Sequence, residues 1–182
     1  MRVEPPTVED CQAIAEVHVA SWQHAYRHLL PSGFLASLSV AQREAMWREA
    51  VVSGSPQLLV ARGPQGIVGF IAFGPCRDRD APQHSGEVWA FYVAPQCWAQ
   101  GLGRKLWLAA RERLAQQGHT RLSLWVAAGN ERAIRFYLAA GFKPERQSIK
   151  WITLGGVPMQ EIRYVRQGDG PAASGRESEQ VG

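Results

Sequence analysis

Two glycines one residue apart, Gly101-Leu102-Gly103, follow Trp98-Ala99-Gln100 and precede Arg104-Lys105-Leu106. The run before them, Phe91-Tyr92-Val93-Ala94-Pro95, is rich in β-forming residues and stops at a proline. A strand that ends this way and turns into a helix leaves the first helical N–H groups without internal partners. Glycine lets another group approach that backbone closely, and the positive end of the helix dipole favours an anion there. The chemistry expected at the turn is phosphate binding, with Arg104 and Lys105 adjacent to add charge. A tight strand-to-helix connection that holds no ligand is the alternative. Two common phosphate loops do not fit. A P-loop needs Gly-Lys followed by Ser or Thr, but Arg104-Lys105-Leu106 follows Gly103. A dinucleotide fingerprint needs a small residue three positions after its second glycine, and Leu106 stands there.

Other chemistry-bearing types are less organised. His24 and His28 are four apart on an expected helix, a spacing that can share a metal, but no third ligand accompanies them at a recognisable spacing. An exposed pair is the reading adopted, with no metal expected. Cys11, Cys76 and Cys97 are scattered and odd in number, which suits reduced thiols better than a disulfide framework or a metal site. The net charge of +4 comes from dispersed Lys and Arg rather than a basic stripe, so nucleic acid is not an expected partner. With 46% hydrophobic and 20% charged residues the chain reads as globular. It shows neither an apolar run of membrane-spanning length nor an N-terminal signal core, so no membrane association and a cytoplasmic location are expected.

The elements that must position the turn follow from periodicity. A short strand precedes Thr7, which can cap a helix carrying Ile14, Val17, Ser21, Trp22, Ala25 and Leu29 on one face. Residues 31–38 read as a loop or short helical turn. Ser39 with Gln42 offers a capping box for a helix to about Val52. Strands are expected at 57–62 and 67–73, joined through Gly63-Pro64-Gln65-Gly66, and at 87–93. The helix after the glycine turn should run to about Gln117, followed by a strand at 121–126. A helix over 130–140 should stop at Gly141, and two last strands, 147–154 and 157–165, are joined by Gly155-Gly156. Residues 1–166 form one domain in this reading, and 167–182 form a disordered tail poor in residues to bury.

The strand from Glu87, the glycine turn and the block Asn130-Glu131-Arg132-Ala133-Ile134-Arg135-Phe136-Tyr137 with Gly141-Phe142 resemble the GNAT superfamily of acyl-CoA-dependent N-acetyltransferases. The motif detail covers residues 86–142, and the element order fits over 1–166. The resemblance implies an α/β fold of mixed α+β type, with a central mixed sheet of about seven strands flanked by about four helices. It implies an enzyme that transfers acetyl from acetyl-CoA to a primary amine by direct attack in a ternary complex. A non-catalytic acyl-CoA-binding or sensor protein that keeps the cofactor site is the rival reading.

Residue roles carry over position by position. Backbone amides from Gln100 through Gly101, Leu102 and Gly103 to Arg104 would hold the coenzyme A pyrophosphate, with Arg104 or Lys105 adding charged contacts. Trp98 departs from the Arg or Gln usual at the first position of this motif. The backbone near Tyr92 and Val93 would hold the pantetheine arm and polarise the thioester carbonyl, with Asn130 on the opposite side. Glu87 stands where many members carry a basic carboxylate, and alternation would place it on one face with Trp89 and Phe91. Tyr137 matches the usual acid position, or else only packs its helix beside Phe136. Trp22, Tyr26 and Trp89 could line the acceptor pocket, although Trp22 is equally at home in a core. The acceptor would be a small amine or a protein or peptide amine, and the C-terminal hairpin could support a homodimer.

Overall fold

The computed structural model describes residues 1–169; the rest of the expected tail, 170–182, lies outside the described residues. Seven strands make one mixed sheet: β1 (Arg2–Glu4), β2 (Gln57–Gly63), β3 (Gly66–Pro75), β4 (Ser85–Val93), β5 (Arg121–Ala127), β6 (Lys143–Leu154) and β7 (Val157–Gln167). Their spatial order is β1-β2-β3-β4-β5-β7-β6, antiparallel except where β4 meets β5. Five helices flank the sheet rather than four: α1 (Cys11–Ala25), α2 (Ser32–Ala36), α3 (Val40–Ser53), α4 (Leu102–Gln116) and α5 (Glu131–Ala139). The fifth is the short α2, formed within the 31–38 segment. No helix among the described residues is long and apolar enough to cross a membrane.

Each face of the sheet has its own core. On one, α4 buries Leu106, Trp107, Ala110 and Leu114 against Ile71, Phe73, Leu122 and Leu124. On the other, Ile14 and Ala15 of α1 and Trp47 and Ala50 of α3 cover Leu58, Val60 and Phe70. A third cluster seats Tyr26, Leu30 and Leu35 over Ala127 and Met159, fixing the end of α1 above the C-terminal hairpin. Local signals explain the ends of several elements. Ser39 accepts from the Gln42 N–H at 3.2 Å to start α3, and Gly54, at φ +72°, stops it.

Several boundaries differ from the sequence reading, and three of them bear on the packing. Helix α1 ends at Ala25, and Tyr26 to Leu30 continue only as turns before Pro31, so Leu29 lies beyond the helix whose stripe it extended. Strand β6 starts at Lys143, four residues early, across an irregular register between Pro144 and Ile149. That break turns Glu145 and Ser148 toward Arg163. Strand β7 continues to Gln167, the first residue assigned to the tail.

A cluster of rings closes the seam between α1, α3 and the sheet. Trp47 Nε1 donates to His18 Nδ1 at 3.1 Å, and the His18 ring stacks on Tyr92 with centroids 4.8 Å apart. Burial, and secondarily the charge of Arg43, push His18 down to about 3. An unfolded histidine takes its proton near pH 6.5, so between that pH and about 3 the unfolded chain binds the extra proton and stability falls as pH drops. The His18 contribution should fall by about 1.5–2 kcal/mol between about pH 6.5 and pH 5. Urea denaturation at both pH values should show a smaller loss in His18→Phe than in wild type. Equal losses would rule His18 out as the acid-sensitive group.

Candidate active site

Strands β4 and β5 pair only at their beginnings, Ser85 with Arg121, Gly86 with Leu122 and Glu87 with Ser123, and then part. A β-bulge helps turn β4 away: Ala72 pairs with Ala90 but Phe73 pairs with Val88, leaving Trp89 as the extra residue. The gap opens a cleft of about 540 Å³ lined by β4 from Val88 to Val93, by β5 residues 124–126, and by parts of α1, α4 and α5.

The bulge also overturns the simple alternation read from sequence. Trp89 and Tyr92 pack with the α1–α3 core, whereas Phe91 packs with the α4 core. Glu87 pairs with Gly74, and a Cβ added to Gly74 would meet the Trp89 indole. Glu87 and Trp89 therefore share a face, and Phe91 lies on the opposite one.

At one end of the cleft the glycine turn has a shape made for a close ligand. Gly101 caps α4 with φ +75°, and Ala99, not a glycine, is also left-handed at φ +59°. Gly103 borders the cleft, where an added Cβ would meet Phe136 at 3.3 Å and Phe91 at 3.7 Å. Arg104, Arg132 and Arg135 line the same end. Burial, then the charge of Arg135, lower the Arg132 pKa from its ordinary value, a tension that an anion between them would relieve. The free helical amides, the missing Cβ and this charge fit a phosphorylated cofactor.

Trp98 explains its own departure from the motif. Its Nε1 donates to the Val93 carbonyl at 2.7 Å, His24 meets its ring edge-on at 4.7 Å, and the Arg132 guanidinium lies 3.8 Å from its centroid. The indole thus ties α1, β4 and α5 together where a polar side chain was expected.

Three tyrosines surround the middle of the cleft. Tyr137 lines it from α5, in contact with the rings of Phe136 and Phe142 and 6.5 Å from that of Phe91. Burial, then the neighbouring Tyr26, push its hydroxyl well above the usual tyrosine value, so it stays a neutral donor. Tyr92 is raised likewise by burial, and its hydroxyl accepts from Trp22 Nε1 at 2.8 Å. Trp22 is therefore a brace behind Tyr92 and not a cleft wall. Tyr26 and Trp89 do line the cleft. Asn130 lines it too, and its Oδ1 caps α5 by accepting from the Ala133 N–H at 3.2 Å.

Glu87 is nearly fully buried and is not a lining residue. Its carboxylate accepts from the Arg77 backbone N–H at 2.9 Å, from Arg77 Nε at 3.1 Å and from Arg77 Nη2. The same guanidinium lies 4.0 Å over Trp89. A carboxylate held this way must release Arg77 before it can take a proton from an amine. Gln100 and Lys105 are exposed beside the turn and do not line the cleft, whereas Leu102 does.

The loop carrying Arg77 is locked from below. Arg163, 5% exposed, donates to Asp80 twice at 2.8 Å, to Asp78 at 3.1 Å, to Glu145 at 2.6 Å and to Ser148 at 2.8 Å. Asp78 also accepts from Trp125 Nε1 at 3.0 Å and Lys150 Nζ at 3.2 Å. The Arg163 hydrogen bonds hold Asp80 down to about 2; for Asp78, burial opposes the shift and the same kind of bonds still win.

Sequence reasoning missed Arg77, Trp125, Arg132 and Arg135 as site residues. Arg132 and Arg135 lay inside the recognised block, three apart on one helix face, which was an available signal. Nothing local in the sequence marks Arg77 or Trp125. Among the described residues no three His, Cys, Asp or Glu gather to hold a metal. His24 meets the Trp98 ring edge-on, while His28 accepts from Arg27.

A model of the Acetyltransferase (GNAT) family matches residues 13–142. The chain is 34% identical over 161 residues to YuaI of Bacillus subtilis (strain 168), described as an uncharacterized N-acetyltransferase, covering 88% of this chain and 89% of that one. Its fold is similar to that of YncA from Salmonella typhimurium, solved with its cofactor acetyl-CoA, with TM-score 0.71, 23% identity and 97% and 98% of the two chains covered. It is also similar to PaiA N-acetyltransferase from Thermoplasma acidophilum, solved with coenzyme A, with TM-score 0.70, 21% identity and 88% and 96% covered.

The Arg163 clamp has a measurable consequence. Arg163→Met leaves Asp78, Asp80 and Glu145 without their shared cation and should cost about 3 kcal/mol of unfolding free energy, with faster proteolysis after Arg79. Unchanged stability and cleavage would show that the loop does not depend on it.

Proposed function

The chain is an N-acetyltransferase of the Acetyltransferase (GNAT) family, and on that premise we propose that it uses acetyl-CoA and acetylates a primary amine by direct attack in a ternary complex. The observation that carries the choice of donor is the phosphate-shaped turn opening into a cleft between parted strands. Bound there, acetyl-CoA supplies an acetyl group already activated as a thioester. The amides from Gln100 to Arg104 hold the pyrophosphate, and Arg104, Arg132 and Arg135 neutralise it. Lys105, exposed beside the turn, strengthens the field from outside the cleft. On the β5 side, β4 from Trp89 to Val93 has no strand partner, so its backbone groups there other than the Val93 carbonyl, which Trp98 and Ser21 already occupy, are free to pair with the pantetheine arm as an added strand would. Asn130 faces the arm from the opposite wall.

A thiol leaves more easily than a tyrosine gives up its proton, since ordinary values are near 8.5 and 10, and burial widens that gap for Tyr137. The Tyr137 hydroxyl therefore acts first as a hydrogen-bond donor to charge developing on sulfur, with proton delivery late. The amine must arrive neutral. A lysine-like amine costs about 4–5 kcal/mol to deprotonate at pH 7, and an α-amine about 1. Glu87 works by position: it holds Arg77 over Trp89 and so fixes the acceptor-side wall. Tyr26 and Trp89 form apolar parts of that wall, with Trp22 bracing it. A small amine and a peptide N-terminus both fit this chemistry.

Calorimetry should give micromolar binding of acetyl-CoA, lost in a folded Gly103→Glu variant whose carboxylate meets the pyrophosphate. Absence of binding by wild type would refute the donor assignment. Tyr137→Phe should lower kcat roughly a hundredfold while leaving the KM for acetyl-CoA unchanged. Full activity in that variant would leave Tyr137 a packing residue only.

A further inference from the structure

The lining of the cleft is short of groups that can take up a proton. Among the described residues, it holds no Asp, Glu, His or Lys. Tyr26, Tyr92 and Tyr137 are phenols whose pKa values burial raises, so all three stay protonated. Arg104, Arg132 and Arg135 are cations and donors only. Cys97 lies on the short turn Pro95–Cys97 that leads into the glycine turn, at the donor's end. The carboxylates behind the lining are committed elsewhere. Glu87 accepts three times from Arg77, and Asp78 accepts from Arg163, Lys150 and the Trp125 indole.

The acceptor-side wall is built from fixed indoles. Trp89 on β4 and Trp125 on β5 line the cleft from the two strands that part. Both N–H groups are spent on one loop: Trp89 Nε1 donates to the Pro75 carbonyl at 3.2 Å, and Trp125 Nε1 donates to Asp78 at 3.0 Å. Each ring also carries a cation, with the Arg77 guanidinium 4.0 Å from the Trp89 centroid and Lys150 Nζ 3.7 Å from that of Trp125. A substrate ammonium would meet indoles whose π charge is already engaged, and no carboxylate in the lining. A flat apolar body would meet rigid surface with no indole N–H left to satisfy.

We propose that the acceptor is a weakly basic amine on an apolar, ring-bearing body, and that it enters the cleft already neutral. This deepens the transferase reading above and rests on it. The atom balance then needs no protein base. R–NH2 forms its bond to the acetyl carbon as the carbon–sulfur bond breaks, and one nitrogen proton ends on the departing thiol. The products are the amide and free coenzyme A, with no proton left over. R–NH3⁺ would bring one proton more, and the lining offers nothing to receive it, so that proton stays in bulk water. Arg104, Arg132 and Arg135 add to the cost of bringing an ammonium ion in. At pH 7 about 1 in 10 molecules of an α-amine is neutral, against about 1 in 2,500 of a lysine-like amine. The cleft thus selects for low basicity, as in an arylamine or the α-amine of an amino-acid amide. Glu87 keeps the positioning role given above.

The test follows thiol release by the full chain with phenylalaninamide, 2-phenylethylamine and glycinamide, with acetyl-CoA binding measured separately by calorimetry. The first two share a ring and differ in basicity; the first and third share an α-amine and differ in the ring. With 2-phenylethylamine, kcat/KM should rise about tenfold per pH unit from about pH 7 to 9, whereas with phenylalaninamide it should level above about pH 8. Phenylalaninamide should lead at neutral pH, and that lead should narrow about tenfold by about pH 9. Glycinamide should show a KM about tenfold higher or more than phenylalaninamide. Trp125→Leu should shrink that difference with acetyl-CoA affinity unchanged. A kcat/KM for 2-phenylethylamine that stays flat over the same pH range would overturn the proposal, because it would reveal a base within the protein. Equal KM values for glycinamide and phenylalaninamide would overturn the ring-bearing body. Absence of thiol release with all three amines, by a protein that binds acetyl-CoA, would overturn the acceptor class and leave the donor assignment intact. Failure of wild type to bind acetyl-CoA would instead remove the reading on which the proposal stands.

Discussion

The parting of β4 from β5 is the constraint on which the rest of the site depends. Three residue pairs hold the two strands together, and the only parallel contact in the sheet ends there. Backbone groups beyond that point lose their ladder partners, which the interior of a sheet does not normally tolerate. The protein satisfies some of them with side chains. Val93 O accepts from both Trp98 Nε1 and Ser21 Oγ, at 2.7 and 3.3 Å. Others remain for a ligand, and the gap is wide enough to admit one. The bulge at Trp89 steers β4 outward, and the rings of Phe91, Phe136 and Tyr137 keep α5 standing on the far side. The cleft is thus produced by a deliberate break in pairing, stabilised on both banks by aromatic packing.

Keeping such a break open requires rigid surroundings, and two buried polar arrangements supply them at opposite ends. At one, His18 is held neutral among Trp47, Tyr92 and Phe70, where a hydrogen bond to Trp47 fixes the orientation of its ring. At the other, Arg163 draws three carboxylates and a serine into one knot. Removing either partner type leaves desolvated charge, so the knot stabilises a geometry more than it stabilises the fold. Its structural product is the position of the 76–84 loop, and through it the placement of Arg77 on Trp89.

Much of this was legible in the sequence because it is local. The glycine turn, the cap at Ser39, the stop at Gly141 and the order of strands and helices each follow from residues within a few positions of one another. The errors were non-local. Alternation placed Phe91 with Glu87 and Trp89 because a bulge is set by the partner strand, and nothing in β4 itself announces it. The early start of β6 was hidden by Glu145, Arg146, Gln147 and Ser148, whose polarity reads as loop until Arg163, far along the chain, is seen to need Glu145 and Ser148. Glu87 was found by position, but its partner Arg77 lies ten residues away across a turn and could not be paired from spacing alone.

The two ends of the cleft differ in how far their charge is matched within the protein. At the glycine turn Arg104 and Arg132 stand beside the free helix amides, with Arg135 loosely paired to Glu131 at 3.9 Å, an excess of positive charge that would suit an anion. At the other end Arg77, Arg163 and Lys150 are each paired with carboxylates, so that network largely cancels itself. A phosphorylated donor would be drawn to the first end, and a cationic acceptor would be repelled from it. Such a field would keep the acceptor out of the donor's place before any contact is made. Once an anion neutralised the turn, a cationic amine would be repelled less than in the free protein. Electrostatics alone would then favour donor first and acceptor second, without requiring the cleft walls to move.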